Sequence, residues 1–153
     1  MSIAPIVHTI VVKAPPPRAF DLFVSHMAQW WPRGRTIAKA PHVAIVVEPR
    51  AGGQWFERDA NGNEVHWGKV LEWDPPSRVL FLWQINTDSG YDAKLRTEVE
   101  LTFVPADGGG TTVRLEHRKL EAYGADAARH TDRFRNGWPV MLSNFVTYAD
   151  EQR

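Results

Sequence analysis

Apolar and polar residues alternate most regularly over residues 95–104, where Leu95, Thr97, Val99, Leu101 and Phe103 share one parity and Arg96, Glu98, Glu100 and Thr102 the other. A period of two marks a strand with one face buried and one in water. Residues 111–118 repeat it, with Thr111, Val113, Leu115 and His117 inward and Thr112, Arg114, Glu116 and Arg118 outward. Stretches 3–13, 42–48, 54–58, 64–73 and 78–85 are β-branched or aromatic and read as further strands. Breaks fall between them: Pro15-Pro16-Pro17, Pro49 with Gly52-Gly53, the Asn61-Gly62 hairpin signal, Asp74-Pro75-Pro76-Ser77, and Pro105 to Gly110. Residues 86–94 are polar with Gly90 and read as a mobile loop over one end of the sheet.

Helical spacing appears twice. After the first strand, Phe20, Phe23, Val24 and Met27 predict one short helix opened by Pro17. A second turn, capped by Ser25, carries Met27, Trp30 and Trp31 before Pro32 and Gly34 end it. Near the chain's end Phe134, Trp138, Met141, Leu142, Phe145 and Ala149 follow three- and four-residue steps, the mark of a long amphipathic helix. Residues 120–130 are weaker, partly helical at best. Gly137 and Pro139 predict a break near Trp138, with a loose lead-in over 129–136 that forms one wall of the cavity entrance and a firm helix over 139–151. Hairpin-linked strands with helices gathered on one face make the class α+β. The expected architecture is a curved antiparallel sheet of about six to seven strands wrapped around the C-terminal helix, with two short helices after the first strand. One domain over 1–153, with a cavity between sheet and helix, is expected.

Composition narrows the chemistry. Lys plus Arg and Asp plus Glu number 18 each, so there is no basic field and nucleic acid is not an expected partner. Cysteine is absent, which removes disulfides, thiolate catalysis and thiolate zinc sites. The histidines, at 8, 26, 42, 66, 117 and 130, show neither an i, i+4 pair nor HExxH, so no metal and no cofactor are expected. No GxSxG, P-loop or GxGxxG occurs. No basic n-region precedes an apolar run, and no run approaches the ~20 residues of a membrane span. A cytoplasmic protein without a membrane span is the expectation.

An ordered set of short motifs carries a family likeness. Phe20-Asp21-Leu22-Phe23, Trp30-Trp31-Pro32, Glu48-Pro49-Arg50 with Gly52-Gly53, Trp67-Gly68-Lys69-Val70 and Trp73-Asp74-Pro75-Pro76 come first. Val99-Glu100-Leu101-Thr102-Phe103, Gly109-Gly110-Thr111, Leu115-Glu116-His117 and Gly137-Trp138-Pro139 follow. Together they resemble the START/SRPBCC superfamily, in the branch similar to the activator of the heat-shock ATPase (AHSA-like), over nearly the whole chain. The resemblance implies a helix-grip fold with the cavity mouth near Trp30 and Trp31. It spans lipid carriers, hormone receptors, aromatase/cyclases and co-chaperones, so it implies no single activity.

The residues expected to line a cavity are Trp83 and Trp138, then Trp55 and Trp67, with Trp30, Trp31, Phe81, Thr97, His117 and Met141 beside them. Of Trp30 and Trp31, one is expected to pack and the other to gate. His117, inward on its strand, is the candidate acid or base; the plainer expectation is a core histidine satisfied by one hydrogen bond. Arg96, Glu98 and Glu100 are read as solvated outer-face residues. Glu57 and His66 are expected to face each other across the Asn-Gly hairpin as a cross-strand pair. The leading functional expectation is a binding domain for a small hydrophobic or aromatic molecule. One alternative is a cyclase- or hydrolase-like enzyme using His117 with a carboxylate or a tyrosine such as Tyr91. Another is a co-chaperone-like domain contacting a chaperone; a homodimer is compatible with each.

Overall fold

The computed structural model describes residues 3–33, 35–38, 40–86 and 90–152. Strand β1 (Ile6–Val12) stops before the proline run, and helices α1 (Pro16–Ser25) and α2 (Met27–Trp30) follow. Then come β2 (His42–Val47), β3 (Gln54–Asp59), β4 (Glu64–Asp74), β5 (Arg78–Trp83), the two-residue strands β6 (Ile85–Asn86) and β7 (Gly90–Tyr91), β8 (Thr97–Pro105) and β9 (Thr111–Arg118). A 3₁₀ segment, Leu120–Asp126, leads into α3 (Ala127–Glu151). Seven strands form one curved antiparallel sheet in the order β1-β9-β8-β5-β4-β3-β2. β6 and β7 form a separate ribbon, pairing Ile85 with Tyr91 and Asn86 with Gly90. Part of the segment expected as a loop is therefore paired strand; its residues 87–89 lie outside the described residues.

The parity read from the sequence positions the sheet. Thr97, Val99, Leu101 and Phe103 of β8 and Thr111, Val113, Leu115 and His117 of β9 are all buried on the inner face, which α3 and α1 cover, Phe103 lying against Phe20 and Phe23 of α1. The outer face is not simply solvated. Glu98 and Glu100 are clamped by Arg118 and Arg78, with Lys119 also on Glu98, and their side chains retain only 16 and 17 % exposure. Such a ladder shields the apolar stems and the buried Leu80 and Leu82 beneath it. Close approach of β4 and β5 depends on Gly68, where a Cβ would lie 1.7 Å from the Leu82 carbonyl oxygen. That contact sets Trp67 beside Trp83, since Gly68 pairs with Trp83.

Helix α3 corrects the expected break. It runs as 25 continuous residues through Gly137 and Pro139, and the segment 129–136 is helix rather than loose lead-in. Residues 120–126, read as weak, are 3₁₀ helix. Proline in a helix interior costs about 3 kcal/mol through the lost hydrogen bond and the crowded carbonyl. Burying Trp138, Leu142 and Phe145 against the sheet returns about 1.5–3 kcal/mol each, so packing outweighs the local penalty. Ser25 caps nothing either: α2 starts after His26, and no side chain caps it.

A prediction follows for Pro139, which is exposed on α3. Pro139→Ala restores the N–H that the Arg135 carbonyl lacks, against a smaller gain in unfolded-chain entropy. Urea unfolding is expected to show about 1–3 kcal/mol of added stability; a loss would mean that the proline's local geometry is needed for packing.

Candidate functional site

The space between sheet and helix is mostly filled by the chain's own aromatic rings. The Trp55 ring lies tilted 4.3 Å from Phe81 and edge-on 5.3 Å from Trp67, and Phe23 lies 5.0 Å from Phe145. Trp30 belongs to this packing, its indole N–H donating to the Leu22 and Phe23 carbonyls. At one end a cavity of about 510 Å³ remains. Its walls are Phe134, Gly137, Trp138 and Met141 of α3, Trp67 of β4, Trp83 of β5, Ile85 and Asn86 of the small ribbon, and Trp31 with Arg33, Arg35, Thr36 and Ile37.

The expected lining residues divide accordingly. Trp31, Trp67, Trp83, Trp138 and Met141 border the cavity, whereas Trp30, Trp55, Phe81, Thr97 and His117 lie in the packed interior away from its walls. Trp31 sits 4.8 Å from Trp67 and 6.1 Å from Trp138, and Trp83 sits 5.4 Å from Trp138 and 5.8 Å from Phe134. These edge-on and tilted rings expose π faces and C–H edges to one space. Trp31 also shapes the cavity rim, since its N–H donates to the Arg35 carbonyl at 3.1 Å and closes the turn that carries Arg33 and Arg35.

His117 is fully buried, and both its ring nitrogens are committed. Trp138 Nε1 donates to Nδ1 at 3.2 Å, and Nε2 lies 3.1 Å from Thr97 Oγ1. The Thr97 hydroxyl spends its one proton on the Trp83 carbonyl at 2.8 Å, so His117 Nε2 carries the hydrogen. Desolvation pushes its pKa down to about 3, and the Phe134 ring covers it at 4.5 Å. This geometry matches the core-histidine expectation and leaves no nitrogen for acid–base work. Tyr91, the suggested partner, instead packs its ring 5.8 Å from His66 and directs its hydroxyl to Gln84. A second tyrosine completes the buried polar knot: Tyr123 donates to the Ile85 carbonyl at 2.7 Å, and burial pushes its hydroxyl pKa up.

Glu57 and His66 do not face each other, which corrects the expected cross-strand pair. A register shift between Trp55 and Phe56 sets Glu57 opposite Val65 and His66 opposite Phe56, and period-two alternation then sends the two side chains to opposite faces. His66 is exposed; Glu57 is fully buried. Its Oε1 accepts from Trp67 Nε1 at 2.8 Å and from the backbone N–H groups of Ile37 and Ala38 at 2.8 and 3.1 Å. Its Oε2 is buried without a hydrogen bond. Glu57 thus ties a cavity-wall tryptophan to the segment that forms the opposite wall.

Arg33, Arg35, Thr36, Ile37, Ile85, Asn86 and Gly137 were not anticipated as cavity residues. The one signal available was Gly137: inside a helix it lowers stability by ~1 kcal/mol, and a position that tolerates that cost often serves close approach. Here a Cβ on Gly137 would meet an Arg35 guanidinium nitrogen at 3.8 Å, so that side chain lies across α3 at the cavity. Among the described residues no group of three or more His, Cys, Asp or Glu is placed to hold a metal ion, and no helix is long and apolar enough to cross a membrane.

Known proteins share this fold, some of them with sequence similarity. The anthrahydroquino-γ-pyrone synthase Txn09, solved in complex with SUM, is 34 % identical, with 95 % of this chain and 97 % of that chain covered at a TM-score of 0.68. The self-sacrificing resistance protein CalC of Micromonospora echinospora is 27 % identical, with 97 and 96 % covered and a TM-score of 0.75. The Aha1 dimer of Colwellia psychrerythraea is 19 % identical, with 97 % of each chain covered and a TM-score of 0.66, a likeness of fold alone. No curated protein sequence matches the chain. The model of the Activator of Hsp90 ATPase homolog 1-like protein family matches residues 13–150. By that match and by its helix-grip fold, the chain belongs to the Activator of Hsp90 ATPase homolog 1-like family.

Proposed function

We propose that the chain binds a small planar aromatic molecule in the cavity between α3, the β4–β5 strands and the 31–37 segment. One observation carries this reading: four indoles, Trp31, Trp67, Trp83 and Trp138, converge with Phe134 and Met141 on one space of about 510 Å³. That volume lies within the range of small-molecule sites, and aromatic walls with a few polar groups are their usual chemistry. The name of the 34 % identical synthase, which concerns a fused aromatic polycycle, points to the same ligand class.

Titration with 1,8-dihydroxyanthraquinone tests it. Saturable quenching of tryptophan fluorescence is expected, with one site per chain and a Kd of roughly 10–100 µM. Quenching that stays linear and equals that of free tryptophan would defeat the reading.

The same relative favours a second reading, in which the cavity acts on its ligand as a cyclase-type enzyme. With His117 sealed in the core, any chemistry would depend on the rim. Mass spectrometry of the incubated anthraquinone separates the two: unchanged recovery supports binding, and a product supports catalysis. The homodimer and the chaperone contact rest on family likeness alone.

A further inference from the structure

Charge is distributed unevenly around this cavity. The whole chain is neutral, yet Arg33, Arg35 and Arg133 all line the cavity and no described lining residue is acidic. Arg58, Arg78, Arg114 and Arg118 on the sheet each hold a carboxylate. Arg33 and Arg35 hold none among the described residues. Arg33 spends one nitrogen on the His42 carbonyl at 2.9 Å, which fixes the side chain without neutralising it. An Arg35 guanidinium nitrogen lies 3.8 Å from where a Cβ on Gly137 of α3 would stand, and the Arg35 backbone carbonyl is fastened by the Trp31 indole. Two guanidinium groups thus line an aromatic cavity, each without a carboxylate partner among the described residues.

Resting on the aromatic-binding reading, we propose that the cavity selects an aromatic anion, a fused ring system carrying a carboxylate or an ionised phenol. The rings lie among Trp31, Trp67, Trp83 and Trp138, and the anionic substituent points outward to Arg35 and Arg33. Guanidinium suits this task because it stays charged, pairs with carboxylate in two-point fashion and tolerates contact with aromatic faces. Half-enclosure by low-dielectric indole walls strengthens the attraction beyond its value in water. Glu57 is closed off behind Ile37 and Trp67 by its own three donors and does not compete for the rim.

A matched pair of ligands tests the proposal. 4,5-Dihydroxyanthraquinone-2-carboxylic acid and 1,8-dihydroxy-3-methylanthraquinone differ in replacing a carboxylate by a methyl group on the same ring system. At pH 7 and low salt the carboxylate is expected to bind at least tenfold more tightly, with the ratio shrinking as salt is raised. Arg35→Met, a change at an exposed position, is expected to cut the ratio by threefold or more, and Arg33→Met to cut it further. Equal affinity for the two, preference for the methyl compound, or a ratio unmoved by both substitutions would overturn the anion preference while leaving aromatic binding intact. Failure of both compounds to bind would overturn the aromatic reading and this proposal with it.

Discussion

Glu57→Ala is expected to destabilise the protein by about 3–5 kcal/mol in urea or thermal unfolding. The substitution strands the buried Trp67 indole N–H and the half-buried Ile37 and Ala38 amides, and each donor left unsatisfied out of water costs about 1–3 kcal/mol. Removal of the unpartnered Oε2 returns part of that, because an unpaired buried carboxylate oxygen is itself unfavourable. Glu57→Gln keeps an acceptor at the Oε1 position and removes the charge, so less than half the alanine loss is expected. The damage should also be local. Amide exchange at Ile37 and Ala38 is expected to accelerate well beyond the global change, since their bonds to Glu57 hold the segment against β3. An alanine cost under 1 kcal/mol with unchanged exchange at both amides would show that the wall stands without its tie.

His117 should make stability fall in acid. Its folded pKa, lowered to about 3 by burial, lies below the unfolded value near 6.5. Between those values the unfolded chain takes up a proton that the native core refuses. The native state is therefore fully favoured above pH 6.5 and loses stability as pH falls toward 3, with a slope approaching 1.4 kcal/mol per pH unit from this residue. At lower pH Glu98 and Glu100 add to the loss. Burial pushes both upward, but hydrogen bonds from Lys119, Arg118 and Arg78 win and hold them below the usual carboxylate value. In the upper part of the window the slope belongs to His117, and His117→Gln is expected to flatten it. His117→Ala is expected to cost about 3–4 kcal/mol at pH 7, from the void and the orphaned Trp138 N–H. An acid profile identical in wild type and His117→Gln would contradict the buried neutral imidazole.

The sheet was legible in the sequence because strand parity is a local property: residues 97–103 and 111–117 alternate in water-facing and core-facing chemistry, and the fold follows that alternation. Legibility failed where non-local packing decided. Pro139 reads as a helix breaker by propensity, yet Trp138, Leu142 and Phe145 pack hard enough to carry α3 through it. Glu57 and His66 were misplaced because a one-residue register shift at Trp55 and Phe56 reverses which side chains share a face, and nothing in the local composition announces it. The cavity was half legible. Tryptophans at inward positions of β3, β4, β5 and α3 could be named, but Trp55 and Phe81 pack into the core while Trp67 and Trp83 stop at its edge. Arg33 and Arg35 lie in an irregular turn without periodicity, and only its folding against α3 brings them to the rim.

Indole N–H resonances test the central claim most directly, because the seven tryptophans divide between core and cavity. In a titration with 1,8-dihydroxyanthraquinone followed by nitrogen–proton correlation spectra, the signals of Trp31, Trp67, Trp83 and Trp138 are expected to move saturably together. Those of Trp30, Trp55 and Trp73 are expected to stay in place. Saturable movement of Trp73 alone, or no movement of any indole signal, would contradict the aromatic cavity as the binding site.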